Sequence, residues 1–197
     1  MQTSFGEIKI RNKFDEEVIK EVIEERAYEH WGELKLEGTV LDCGADFGAF
    51  SFLALAQPEV KKVISVEPNP NSYKLLVQNT PNAIHIEKAI SNKEFVYISD
   101  NKERPELNMI SDSGLIVGTT TLDKLITEPI DFLKMDIEGA EYEAFYSCTK
   151  LDLVKQISIE YHNGGTEMAK LLIYLESLGF KMKWIGGGVW GHLQLSK

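Results

Sequence analysis

The segment Val40-Leu41-Asp42-Cys43-Gly44-Ala45-Asp46-Phe47-Gly48 runs from an apolar strand into an acidic turn with two glycines, and Val66-Glu67-Pro68 follows it. Strand, glycine turn and helix, then a carboxylate closing the next strand ~20 residues on, is how an open α/β sheet holds the ribose of a nucleotide-like cofactor. A dinucleotide fingerprint needs a third glycine where Ala49 stands, and a turn whose amides receive a pyrophosphate. Here the spacing is Gly44-x-x-x-Gly48, and Asp42 and Asp46 put negative charge where a diphosphate is repelled. A cationic, phosphate-free adenosine cofactor suits this turn better, and S-adenosylmethionine is the common one.

A chain of 197 residues suits one compact α/β domain. Its net charge of -10 opposes nucleic acid as a partner, because that affinity comes from Lys and Arg displacing counterions from phosphates. The two cysteines, Cys43 and Cys148, make neither a disulfide framework nor a metal-ligand cluster; no metal ligand is assigned, and a reducing, cytoplasmic setting is expected. Residues 1–8 lack the basic and apolar regions of a signal peptide, and no apolar run reaches membrane-spanning length, so no membrane partner is expected.

Residues 15–31 read as a helix capped by Asp15, with Val18, Ile19, Val22, Ile23 and Ala27 at helical spacing. Tyr28, His30 and Trp31 at its end are candidate lid residues, packing being the commoner role for such groups. Strands at 39–43, 63–67 and 84–89 then alternate with helices at 49–56 and 70–79, the latter opened by Asn69 and Pro70 as cap and first residue. Strict alternation implies right-handed crossovers and a parallel sheet. Short strands are expected at 96–99 and 115–117, around a polar loop at 100–114 that either folds over the cofactor or is an ordinary connection. A short helix at 122–126, a strand at 132–136, a helix at 140–146, a strand at 156–161 and a helix at 167–178 complete the alternation. Strands at 181–185 and 189–195, joined by Gly186-Gly187-Gly188, close the chain as a hairpin whose Trp184 and Trp190 shape a pocket or simply pack.

The string at 40–55, Val66-Glu67-Pro68, and Phe132-Leu133-Lys134-Met135-Asp136-Ile137-Glu138-Gly139-Ala140-Glu141 resemble the FkbM-type methyltransferases, S-adenosylmethionine-dependent enzymes that mostly methylate hydroxyl oxygens. The resemblance covers residues 38–162, and its distinctive part is Lys-x-Asp-x-Glu-Gly-x-Glu followed by Ile159-Glu160-Tyr161-His162. It implies a Rossmann-like class I methyltransferase fold: α/β, with a mostly parallel sheet of seven strands, helices on both faces, and a C-terminal antiparallel hairpin whose last strand inserts beside its neighbour. Residues 1–37 would then form an N-terminal helical cap and residues 38–197 the cofactor-binding domain.

The same resemblance suggests roles. Glu67 accepts from both ribose hydroxyls, with Pro68 beside it; Gly44, Ala45 and Gly48 carry the backbone close beneath the methionine and ribose; Asp42 faces the cofactor ammonium directly or through water. Ala89 lies where the family often contacts adenine. Asp136 stands nearest the methyl group, and Glu138 and Glu160 orient cofactor, base or acceptor. His162 is a candidate general base, since an unperturbed imidazole is half deprotonated near pH 6.5, and equally a structural hydrogen bonder. Carboxylates so close need a cation, a proton or donors to coexist. Lys134, the cofactor's own charges or a divalent metal would serve. His85 and His192 receive no role.

The expected activity is O-methylation of a hydroxyl on a small molecule or sugar, with S-adenosylhomocysteine as product. The absence of a Pro-Pro-aromatic sequence after Asp136 counts against methylation of nucleic-acid bases. A non-catalytic S-adenosylmethionine-binding regulatory subunit is one competing class; a nucleotide-dependent oxidoreductase, opposed by the missing glycine and the acidic turn, is another. With no separate acceptor domain, the N-terminal helix, the 100–114 loop or a neighbouring subunit of a homodimer must complete the pocket.

Overall fold

The computed structural model describes residues 1–29, 34–99 and 109–197. A short hairpin, β1 (Gln2–Thr3) and β2 (Gly6–Glu7), leads to α1 (Lys13–Ile19), which continues as one π-helical turn over Lys20–Glu24. β3 (Gly38–Cys43), α2 (Ala49–Leu55), β4 (Val60–Val66), α3 (Pro70–Asn79) and β5 (Ile84–Ile86) follow in strict alternation. β6 (Ala89–Ile90), β7 (Phe95–Ile98), β8 (Ile110–Ser111) and β9 (Leu115–Thr120) form a separate small sheet in the order β6-β9-β7-β8. The chain then runs through α4 (Leu122–Leu125), β10 (Ile130–Met135), α5 (Glu141–Tyr146), β11 (Val154–Tyr161), α6 (Thr166–Ser177), β12 (Lys181–Gly187) and β13 (Gly191–Ser196).

The main sheet has the order β12-β13-β11-β10-β3-β4-β5. β11, β10, β3, β4 and β5 are parallel, and β13 lies antiparallel between β11 and β12. This is the expected seven-stranded, mostly parallel class I sheet with its last strand inserted. Alternation along the central strands sends side chains to opposite faces. Val40, Val63 and Phe132 join a core with α2, α1 and the π-helical turn, whereas Leu41, Ile64 and Leu133 join one with α4, α5 and α6. Burial on both faces is why Val40, Leu41 and Cys43 of β3 and Phe132, Leu133 and Met135 of β10 are apolar, with Asp42 and Lys134 as buried charged exceptions. Among the described residues no helix is long and apolar enough to cross a membrane.

Three expectations are corrected. Asn12, not Asp15, caps α1: its Oδ1 accepts from the Phe14 amide at 2.8 Å, while the fully buried Asp15 accepts from the Arg11 backbone and guanidinium. The helix stops at the π-helical turn, Tyr28 sits in a turn beyond it, and His30 and Trp31 lie outside the described residues. The single strand expected over 84–89 is two, β5 on the main sheet and β6 on the small one, because the chain changes sheets at Glu87 and Lys88. Most of the polar loop expected over 100–114 also lies outside the described residues.

Candidate active site

A cavity of about 270 Å³ opens above the C-terminal ends of β3, β4 and β10, where ligands bind in open α/β sheets. Its rim begins in the turn after β3. The amides of Gly44 and Ala45 both donate to Val66 O at 3.0 Å, Asp46 N donates to Glu67 Oε2 at 2.8 Å, and Gly48 N donates to Ala45 O at 2.8 Å. Four amides of the turn are thus engaged inside the protein, which leaves them unable to receive a pyrophosphate. Charge discriminates less than the sequence implies: Asp46 is held bidentately by Arg11 at 2.6 and 2.7 Å, and Asp42 lies beside Lys134.

Glu67 lines the cavity at 7% exposure, and its Oε1 accepts from Asn69 N at 2.7 Å. One amide on each oxygen locks the carboxylate and leaves lone pairs for two more donors. Burial and the charge of Asp46 push it up to about 8. Pro68 and the buried Ala89 and Ile90 continue the wall beyond it. A fixed carboxyl group beside an apolar surface, with the Gly44, Ala45, Asp46 and Gly48 amides already engaged, matches the ribose and adenine of a phosphate-free adenosyl group. The donor set fits S-adenosylmethionine.

The other end of the cavity is acidic. Lys134, 3% exposed, donates to Gly44 O at 2.5 Å and lies 3.3 Å from Asp136 Oδ2 and 3.4 Å from Asp42 Oδ1. Burial alone would discharge this ammonium, but Asp136, Asp42 and Glu160 hold it charged. Asp136 in turn stays below the ordinary carboxylate range: burial opposes this, and Lys134 and His162 outweigh it. Tyr28 Oη lies 2.8 Å from both Asp136 Oδ2 and Glu160 Oε2. Burial and Asp136 lift Glu138 to about 8 and Glu160 to about 7. His162 sits behind them, with Nε2 3.2 Å from Glu138 and Nδ1 3.1 Å from the fully buried Glu141, whose carboxylate also accepts from the Ile137 and Gly139 amides.

Residues 42–182, most of the chain, match the family model described as the methyltransferase FkbM domain. The chain belongs to the FkbM methyltransferase family. S-adenosylmethionine is the cofactor of these enzymes. No curated protein matches the chain. Among solved structures, the FkbM methyltransferase of Methylobacillus flagellatus KT is similar with a TM-score of 0.61 at 17% identity over 85% of this chain and 46% of that one. The chain therefore spans less than half the length of that FkbM protein. A precorrin-6y C5,15-methyltransferase from Geobacter metallireducens GS-15 gives 0.53 at 15% identity, over 84% of each chain. M. capricolum TrmK, solved with S-adenosyl-homocysteine, gives 0.50 at 11% over 83% of this chain and 64% of that one. At these identities the likeness shows the shared fold.

Against the sites expected of an FkbM chain, the cavity brings together Gly44, Ala45, Glu67, Pro68, Ala89, Asp136 and Glu138. Asp42, Gly48 and His162 are not among its lining residues. Asp42 is fully buried, and its Oδ2 accepts from Ser51 at 2.6 Å, so it meets the cavity only through Lys134. The space beside the two glycines is filled by the protein itself: a Cβ on Gly44 would fall 1.5 Å from the Asp136 carbonyl oxygen, and one on Gly48 2.9 Å from Leu76. Their part is to make the turn and let strands and helices close up. Of the two roles expected of His162, the geometry favours the structural hydrogen bonder. Burial lowers its affinity for protons, but Glu141, Glu138 and Asp136 outweigh this and raise it to about 9, so at neutral pH it is an imidazolium that donates. Asp136, Glu160 and His162 place one ligand-type atom each within 4.8 Å of one another, yet both ring nitrogens already face carboxylates. Arg11, Ser51 and the hydroxyl role of Tyr28 escape sequence reading, because nothing in sequence order pairs them with Asp46, Asp42, Asp136 and Glu160, 9 to 132 residues away.

Proposed function

We propose that the chain is an S-adenosylmethionine-dependent methyltransferase acting on a hydroxyl oxygen of a small molecule or sugar. The observation that carries this reading is one cavity with the locked Glu67 carboxylate at one end and the charged Asp136, braced by Lys134, at the other. When bound, the cofactor supplies an electrophilic methyl group on a cationic sulfur. Glu67 holds the ribose hydroxyls, Pro68 and Ala89 border the adenosyl group, and the Gly44-Ala45 backbone passes beneath it. Asp136 is the carboxylate we assign nearest the methyl group, where it accepts the hydroxyl proton of the acceptor, a role worth roughly 10²- to 10⁴-fold. Glu138 borders the acceptor side, and His162, charged, fixes Glu138 and Glu141. Residues 1–37 act as a cap over this domain, supported by Phe14, Glu17, Val22 and Tyr28 on the cavity wall.

Two substitutions separate binding from chemistry. Glu67→Ala removes the hydrogen bonds to ribose, ~0.5–1.5 kcal/mol each, and abolishes the calorimetric signal of S-adenosylhomocysteine. Asp136→Asn keeps that signal and loses about 10²-fold or more in transfer of a labelled methyl group to cell extract. Stabilisation of the parent protein by NAD, without stabilisation by S-adenosylhomocysteine, would reject the reading.

A further inference from the structure

A tyrosine hydroxyl carries one proton, yet Tyr28 Oη stands at hydrogen-bond distance from two carboxyl groups, 2.8 Å from Asp136 Oδ2 and 2.8 Å from Glu160 Oε2. It donates to one of them. The other contact sets a carboxyl oxygen against the hydroxyl lone pairs in a buried site, an attractive arrangement only when that carboxyl carries a proton of its own.

The surroundings say which one does. Asp136 has the Lys134 ammonium at 3.3 Å and His162 nearby. Glu160 faces Asp136 just past β10, Glu138 from the turn that follows, Tyr28, Glu21 from the π-helical turn, and His192 opposite it on β13. Three of these are carboxyl groups; His192, whose hold on a proton burial weakens and Glu21 and Glu160 strengthen more, pulls Glu160 the other way but turns its Nε2 to Glu21 at 3.5 Å, and burial with Asp136 outweighs it. Lys134 is directed to Gly44 O, Asp42 and Asp136. Burial, with Asp136 second, lifts Glu160 to about 7.

We propose that Tyr28 is a positioning residue that joins an ionised Asp136 to a protonated Glu160: Glu160 donates to the Tyr28 oxygen, and the Tyr28 hydroxyl donates to Asp136. This deepens the methyltransferase reading and rests on it for its purpose. The chain of two bonds holds Asp136 as a carboxylate in one orientation toward the acceptor, and it makes a residue from the N-terminal segment part of the site. The Tyr28 ring packs edge-on against Phe50 and His192, each 5.3 Å away between centroids, so phenylalanine fills the same space without the hydroxyl.

The test has readouts that do not depend on turnover. Infrared difference spectra taken on either side of the Glu160 titration should show a protonated-carboxyl C=O band that Glu160→Gln removes, Asp136→Asn retains with its titration moved to lower pH, and Tyr28→Phe displaces in frequency. Loss of that band in Asp136→Asn instead, or no change in Glu160→Gln, overturns the proposal. So does a Mn²⁺ site, seen by electron paramagnetic resonance, that Asp136→Asn and Glu160→Gln abolish, since a cation would then join the two carboxylates. With labelled donor and cell extract, Tyr28→Phe should lose at least tenfold in transfer while S-adenosylhomocysteine still raises its melting temperature; unchanged transfer overturns the positioning role. If S-adenosylhomocysteine fails to stabilise the parent, the methyltransferase reading falls, and the infrared result still decides where the proton rests.

Discussion

Lys134 is the cation on which the acidic end depends, since among the described residues it alone bridges Asp42 and Asp136, from a side chain 3% exposed. Lys134→Met leaves both carboxylates buried without it, and breaking such an arrangement typically costs about 3–5 kcal/mol; a urea midpoint that drops at constant slope would register the loss. The titrating groups set the pH response. Glu67 and Glu138 near 8, and Glu160 near 7, hold protons in the folded chain that the unfolded chain releases near 4.5, so each withdraws stability as pH rises through that window. His162 adds stability that is complete below 6.5 and lost as pH rises through about 9. All act in one direction, and melting temperature should fall steadily from pH 6.5 to 9. His162→Gln should be less stable than the parent at the acidic end, with the difference closing above about 9; a constant difference would show that the imidazole is uncharged throughout.

At the scale of elements, the N-terminal segment is fastened by Arg11, which donates to Asp15 on α1, to Asp46 in the cavity turn and to Ser72 on α3. One guanidinium therefore ties helix, turn and cavity rim together. Arg11→Met should loosen α1: losing a single charge-assisted bond of ~1.5–3 kcal/mol corresponds to roughly ten- to hundredfold faster amide exchange there. Exchange in β3 and β10 should stay slow, because their cores on both faces are built from other contacts. The glycine turn is the other joint between elements, where Gly44 at φ 79° lets the ends of β3 and β10 meet.

Across the whole molecule the net charge of -10 produces a self-repulsion that folding must overcome. Raising ionic strength from ~0.01 to ~0.15 M shortens the Debye length from about 30 to about 8 Å, so the melting temperature should rise over that range. The buried pairs at Lys134 are screened much less, and the difference in melting temperature between Lys134→Met and the parent should hardly change with salt.

The inserted last strand follows from the family resemblance, whereas order and spacing along the chain suffice for the alternating elements, the parallel sheet and the carboxyl group that follows β4. These are local matters: a hydrophobic period, an Asn69-Pro70 cap and a carboxylate at a strand end each act within a few residues. The small sheet that receives β6, the pairing of Arg11 with Asp46, the burial of Asp42 behind Ser51 and the charge on His162 arise otherwise. Each depends on groups distant in sequence and adjacent in space, where burial sets how strongly neighbouring charges act. A histidine that reads as a base near pH 6.5 becomes an imidazolium because Glu138 and Glu141 fold against it. Tyr28, an aromatic at the edge of a helical pattern, acquires its meaning only when folding brings Asp136 and Glu160 to its hydroxyl.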